Sequence, residues 1–201
     1  MRNPEVASLF EQCRADRRYI FSDRVFERVS PVESPVGLLA IIAIPTAASP
    51  RKPWTDGVLL DAIQDAGNVG SILRITAAAG VRCVATAKGS ADLWSPKVLR
   101  AGMGAHFSLD LHSHDELTEI ATRAAGAVIV GASDANQSLY DVDLRGPVVW
   151  TFGAEGQGVS AAMRALATME VRIPMAVGSE SLNVAAAAAI CLFEQARQRR
   201  G

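Results

Sequence analysis

The sequence offers almost no net charge: 20 Lys and Arg residues face 21 Asp and Glu, leaving a formal charge of −1. No basic excess announces a polyanionic partner. Any such partner must meet a local cluster of cations, a groove shared between subunits, or a separate domain. Cysteine is scarce as well. Cys13, Cys83 and Cys191 are odd in number, far apart and never in a CxxC pair, which argues against a disulfide framework and a zinc site. They read as buried free thiols of a reducing compartment. Of the three histidines, His112 and His114 read as part of a solvated loop, and two ligands without a third do not make a metal site. Long apolar runs are missing too. The longest, Val184 to Phe193, is too short to span a bilayer. The opening MRNPEVASLFEQC carries charges where a secretory signal needs an apolar core. A cytoplasmic protein with no membrane partner and no metal is the expectation.

What is present is an ordinary globular composition over 201 residues, 49% of them hydrophobic, enough for one sizeable core plus an appendage. Residues 1–33 form a distinct helical opening section. Asn3 and Pro4 look like the cap and first position of a helix, and a second short helix is predicted over Ser22 to Val29. Arg14, Arg17, Arg18, Arg24 and Arg28 form the densest basic cluster, either a phosphate-contacting surface or a solvated face shared with Asp16 and Asp23.

From residue 34 to 201, short apolar runs alternate with helical patterns. Strands are predicted over Gly37–Ile44, Val58–Leu60, Val81–Ala85, His106–Leu111, Ala127–Val130, Val148–Phe152 and Val171–Ile173. Helices are predicted over Val69–Ala79, Pro96–Met103, Asp115–Ala125, Ser160–Thr168 and Ser181–Arg199. The alternation implies an α/β domain, a mostly parallel sheet with helices on both faces. Trp150 falls in a buried strand and reads as core, whereas Trp54 and Trp94 are open to base stacking.

Ligands of open α/β sheets bind beyond the carboxyl ends of the strands, which directs attention to three loops. The first runs from Asp61 to Arg74 and contains Asp65, Gly67, Asn68 and Gly70. Its helix start leaves backbone N–H groups available; Asn68 is either a site residue or a cap, and Arg74 either a site cation or a solvated charge. The second, Gly153-Ala154-Glu155-Gly156-Gln157-Gly158, places three glycines in six residues after a buried strand. That permits close backbone approach to a ligand but matches neither a dinucleotide fingerprint nor a P-loop. The third runs from Ile173-Pro174-Met175 to Ser181-Leu182-Asn183. Pro174 ends the sheet pairing, and Ser181 and Asn183 either cap the last helix or face a ligand. Met175 is a cofactor contact or core.

These three segments, in this order, resemble the three motifs of the SpoU (TrmH-type) branch of the SPOUT RNA methyltransferases. The family pattern Asp-Pro-x-Asn-x-Gly-x-x-x-Arg is matched by Asp65 through Arg74, with Ala66 in place of the usual Pro. Gly-x-Glu-Gly-x-Gly is matched by Gly153 to Gly158, and Ile-Pro-Met through Ser-Leu-Asn-Val by Ile173 to Val184. The tail from Ala189 to Arg199 is similar to that of bacterial large-subunit rRNA guanosine-2′-O methyltransferases. The resemblance covers roughly residues 34–201. It implies a C-terminal deep trefoil knot, which physics alone would not suggest, and a homodimer with the active site completed across the interface. It also implies S-adenosylmethionine as cofactor, its adenine held by backbone around Gly153, Ile173 and Leu182, with Met175 of the third loop a further contact or a core residue.

The same resemblance makes Arg74 the catalytic arginine, with Asn68, Glu155, Ser181 and Asn183 orienting it and the ribose. Arginine stays protonated in proteins, so Arg74 is expected to pair a phosphate and stabilise a developing alkoxide rather than act as base. The implied reaction is methylation of a ribose 2′-hydroxyl, in ribosomal RNA or alternatively in tRNA; a catalytically silent RNA-binding or ribosome-assembly factor on the same fold is the other alternative. Many members carry a separate N-terminal RNA-binding domain, and the run from Val25 to Gly37 resembles its end and junction. The opening section thus reads as the remnant of such a domain or as a naturally short form.

Overall fold

The computed structural model of the chain describes residues 3–32, 34–45, 53–113, 115–177 and 181–200. Two units emerge, Met1–Pro45 and Thr46–Gly201.

The first unit holds two helices, α1 (Pro4–Gln12) and α2 (Asp23–Val29). Asn3 caps α1 as expected, its side chain accepting from the Glu5 N–H at 2.9 Å, and Pro4 fills a position whose N–H would go unused. Arg18 folds back on α1, donating to the Phe10 and Glu11 carbonyls and lying 5.7 Å from the Phe10 ring centre. The expected strand over Gly37–Ile44 does not form. The segment is described without a ladder, and Ile41 is 94% exposed. An apolar run becomes a strand only where a neighbour takes up its N–H and C=O groups, and no described residue of this unit does so.

The second unit is built around parallel strands whose apolar runs are buried from end to end, the pattern of a sheet covered on both faces. In chain order the elements are β1 (Gly57–Asp61), α3 (Ala66–Ala79), β2 (Cys83–Thr86), α4 (Pro96–Gly102), β3 (Asp110–His112), α5 (Leu117–Thr122), β4 (Ala127–Gly131), β5 (Gln137–Ser138), β6 (Val148–Gly153), α6 (Ala161–Ala165), β7 (Met169–Arg172) and α7 (Val184–Arg200). The strand order is β3-β2-β1-β6-β4-β7-β5, every pair parallel. The late strand β6 therefore lies at the centre, beside β1 with Leu59 opposite Thr151. Val58, Leu60, Trp150 and Phe152 pack on one face with Ile72 and Leu73 of α3 and Ala188 and Leu192 of α7. Leu59 and Val149 pack on the other with Leu117 and Ile120 of α5 and Met163 of α6.

Trp150 is fully buried, stacks on Phe152 with ring centres 6.1 Å apart, and donates Nε1–H to Gln195 Oε1 at 2.8 Å. Gln195 in turn donates to Asp56 Oδ1 at 3.1 Å, which also accepts from the Val148 N–H and from Arg199. This chain of bonds fastens α7 to the amino ends of β1 and β6.

Several elements differ from their sequence-based expectations. The alternating stretch from His106 to Leu111 is only in part a strand. It begins as a 3-10 turn, Ala105–Phe107, because Met103 and Gly104 both take left-handed backbone and His106 turns inward to donate Nε2–H to the Leu93 carbonyl at 2.8 Å. The helix after Ser160 stops at Ala165. Thr168 is claimed by β4, its N–H bonding the Val128 carbonyl and its hydroxyl accepting from the Val128 N–H. The last helix begins at Val184 rather than Ser181, since Asn183 spends its side-chain oxygen on the Ala185 N–H at 2.9 Å. The two-residue β5 had no pattern to announce it. His112 is buried in β3 against Trp54, not solvated, while His114 lies outside the described residues. Trp54 is itself core and Trp94 half-buried against His106. Cys13 is exposed and Cys83 half-buried; only Cys191 is the buried thiol expected, and burial pushes it up to about 12.

Candidate active site

The three motif loops converge at the carboxyl edge of the central strands. After β1, Ala62 takes positive φ, and Asp65 caps α3 by accepting from the Asn68 N–H at 2.7 Å. The cap is therefore Asp65, and the Asn68 side chain is released for other work. After β6 the chain makes a tight turn closed by the Gly158 N–H on the Ala154 carbonyl at 2.8 Å, with Gly156 and Gly158 at positive φ. Gly153 cannot be anything else: a Cβ there would overlap the Gly158 carbonyl and the Val159 nitrogen. After β7, Ile173 and Met175 are half-buried, and Ser181 and Leu182 exposed ahead of α7. Residues 178–180 lie outside the described residues.

The three loops are tied by side chains. Asn68 Nδ2 donates to Glu155 Oε1 at 2.8 Å. Asn183 Nδ2 donates to Asn68 Oδ1 at 2.9 Å and to the same Glu155 oxygen at 3.2 Å. Each motif contributes one corner of a closed triangle, and the Asn183 oxygen at the same time caps α7. The Glu155 carboxylate thus has one oxygen held by two amides, while Oε2 accepts from no described side chain.

Arg74 and Ser181 do not join this triangle. Arg74 is exposed on α3 and makes no hydrogen bond or ion pair with any described residue. Six helical positions separate it from Asn68, about 9 Å along the axis and about 120° around it. Ser181 is likewise exposed and unbonded among the described residues. One residue without a sequence-based role emerges: Asp61, 9% exposed at the end of β1, accepts from the Ser160 N–H at 2.8 Å. It holds the far end of the glycine turn against the sheet and lines a cleft with Lys88, Glu116 and Met163. An acidic side chain at the end of an otherwise apolar strand was the available signal.

A model of the SpoU rRNA Methylase family matches residues 57–193, the span that includes all three loops. The chain belongs to the SpoU family. Among its relatives is an uncharacterized tRNA/rRNA methyltransferase of Synechocystis sp., 34% identical across 98% of this chain and 73% of the relative. The 23S rRNA (guanosine(2553)-2′-O)-methyltransferase RlmP of Bacillus subtilis is 33% identical across 87% of this chain and 71% of its own. The crystal structure of the SpoU methyltransferase AviRb of Streptomyces viridochromogenes with AdoMet superposes with a TM-score of 0.67 at 34% identity. It covers 75% of this chain and 62% of that one. The SpoU assignment accounts for the all-parallel sheet and for the order of the motifs. Among the described residues no three His, Cys, Asp or Glu side chains are grouped to hold a metal, and no helix is long and apolar enough to cross a membrane.

Proposed function

We propose that this SpoU-family chain transfers the methyl group of S-adenosylmethionine to a ribose 2′-hydroxyl of ribosomal RNA. The observation that carries the reading is the Asn68–Glu155–Asn183 triangle, a polar constellation assembled from all three motif loops where an open α/β sheet binds ligands. The naming of relatives as rRNA 2′-O-methyltransferases favours rRNA over tRNA.

Gly153, Ile173, Met175 and Leu182 are assigned to the cofactor. The fit is chemical. Gly153 ends β6 at the base of the glycine turn, and Leu182, 41% exposed, presents apolar surface suited to a purine. When bound, S-adenosylmethionine supplies an electrophilic methyl on a sulfonium. The protein's task is then alignment. Glu155 Oε2 accepts a hydrogen bond from the ribose, and Asn68 and Asn183 hold the carboxylate still. Arg74 pairs a phosphate of the RNA and stabilises the negative charge that develops on the ribose oxygen. The proton leaves to a phosphate oxygen or water, since arginine cannot take it. Ser181 is assigned to orienting the same ribose.

Arg74 is exposed and makes no bond within its own chain's triangle, which supports a homodimer in which each active site draws on both copies. The central placement of β6, between β1 and β4, supports the family's trefoil knot in the late crossings. Residues 1–33, with their arginine cluster, are assigned to RNA contact, and the setting of rRNA modification favours the cytoplasm.

The test is a tritiated-methyl assay on total rRNA and, separately, tRNA, with calorimetry of S-adenosylmethionine binding. Label in alkali-resistant dinucleotides of rRNA is the expected result. Arg74→Ala is expected to abolish labelling while leaving cofactor affinity nearly intact. Cofactor binding without methylation of either RNA would leave only a silent RNA-binding factor.

A further inference from the structure

Phe107 is 92% exposed. This is not the looseness of a tip. The 3-10 turn that carries it has Ala105 and His106 buried, the latter bonded to the Leu93 carbonyl and tilted against Trp94. The same turn that draws its first two residues inward drives the third out. Met103, just ahead, is 70% exposed and holds a left-handed backbone at φ +47, an uncommon conformation for a residue with a side chain. Together these residues hold a large aromatic and a large thioether in water four positions apart, both on ordered backbone.

The cations beside them are also unspent. Lys97 and Arg100 lie three apart on α4, both exposed, with Met103 following as the helix's C-cap, and neither cation forms an ion pair with a described residue. α4 itself sits tight on α3 at Gly70, where a Cβ would crowd the Val98 carbonyl and the Gly102 nitrogen. Arg74 stands one turn beyond Gly70 on α3, the helix against which α4 packs.

We propose that Lys97, Arg100, Met103 and Phe107 form a track for single-stranded RNA next to the target nucleotide, the cations on phosphates and Phe107 stacked on a base. This rests on the methyltransferase reading above. Unpaired cations interleaved with an exposed aromatic suit a single strand, whose bases offer free faces, better than a duplex, whose bases are already stacked. A second copy of this chain on the same strip is the other occupant, which the oligomeric state of the variant below distinguishes.

The experiment measures binding of the 201-residue chain to a fluorescein-labelled 12-nucleotide oligouridylate by anisotropy, with S-adenosylmethionine affinity and rRNA methylation measured in parallel. Phe107→Ala is expected to weaken oligouridylate binding roughly 5- to 150-fold, the range of one lost stacking contact. Phe107→Trp is expected to retain it, and cofactor affinity and thermal midpoint to stay at wild-type values. Lys97→Ala with Arg100→Ala is expected to reduce the salt slope of log K by about 1.4. Unchanged RNA affinity in Phe107→Ala, in a chain whose wild type methylates rRNA, overturns the track and leaves the methyltransferase reading standing. A shift from dimer to monomer on sedimentation of Phe107→Ala overturns it in favour of a subunit contact. Absence of wild-type methylation with intact cofactor binding would instead count against the underlying reading.

Discussion

The amide of Asn183 lies 2.9 Å from the side-chain oxygen of Asn68, 115 positions earlier in the chain. The same amide reaches Glu155, and the Asn183 oxygen caps α7. One side chain thus couples the start of the last helix to the geometry of the proposed catalytic carboxylate.

That double duty can be separated. Asn183→Ala loses the cap and both donors. It is expected to cost about 1 kcal/mol of stability and, through a carboxylate free to drift, about 100-fold in kcat. Asn183→Asp keeps a capping oxygen but removes the donors and places a second carboxylate beside Glu155. Its thermal midpoint should stay nearer the wild type while methylation falls as far as in Asn183→Ala. Equal activity in wild type and Asn183→Asp would show that the triangle has no part in turnover. Glu155→Gln, which keeps an acceptor for both amides, should fold normally and lose activity with the charge.

The Gly153 turn tests the cofactor assignment. Alanine there would overlap backbone at Gly158 and Val159, atoms that cannot swing aside as a flexible side chain does. Gly153→Ala is expected to lose S-adenosylmethionine binding on calorimetry and about 1–3 kcal/mol of stability on denaturant titration. Gly146→Ala, where a Cβ meets nothing within 4 Å, is the control expected to change neither. Wild-type cofactor affinity in Gly153→Ala would remove this turn from the binding site.

The central strands were readable because a parallel sheet buried on both faces is written as short continuous apolar runs, as in Val58–Leu60 and Val148–Phe152. The three loops were readable as candidates from their place beyond strand ends, and as one site only through their resemblance to the SpoU motifs, since their amides and hydroxyl could equally have been helix caps. Relationships across long separations were not. The Asp61 bond to Ser160 spans 99 positions and the Trp150 bond to Gln195 spans 45, and neither leaves a periodic trace. Apolar alternation misled at both extremes. At His106–Leu111 the inward turn of His106 outweighed the strand pattern. At Gly37–Ile44 no strand among the described residues pairs with the segment to complete the pattern. Sequence alone cannot choose between cap and site for Asn68, because the bond by which Asp65 caps α3 is a matter of geometry.

The Trp150–Gln195 pair makes a prediction about the core. Both residues are buried to 1% exposure or less, and Gln195 Oε1 takes its bond from the indole. Trp150→Phe leaves that oxygen without a donor and opens space beside it. It is expected to cost roughly 2–4 kcal/mol by urea unfolding. Adding Gln195→Leu to Trp150→Phe removes the stranded oxygen and should recover part of the loss. A double variant less stable than the sum of the singles would show that the Gln195 link to Asp56 matters more than the indole bond.

Acid should unfold the protein in part through Glu194. Its two oxygens accept from Arg197 at 2.8 Å each and from Gln198 at 2.9 Å, and these bonds, the guanidinium first, hold the carboxyl down to about 2 from an ordinary value of 4.5. A folded value below the unfolded one means the native state resists protonation that the unfolded state accepts. The stability it contributes is complete above pH 4.5 and disappears as pH falls towards 2. The same Gln198 bonds the Val142 carbonyl and the Leu144 N–H, so protonating Glu194 loosens the fastening of α7 to that segment. Glu194→Gln should therefore lower stability at pH 7 and flatten the fall in stability between pH 4.5 and 2, measured by urea titration at stepped pH. An unchanged slope across that interval would mean that other depressed carboxylates, such as Asp143 beside Arg145, dominate the acid transition.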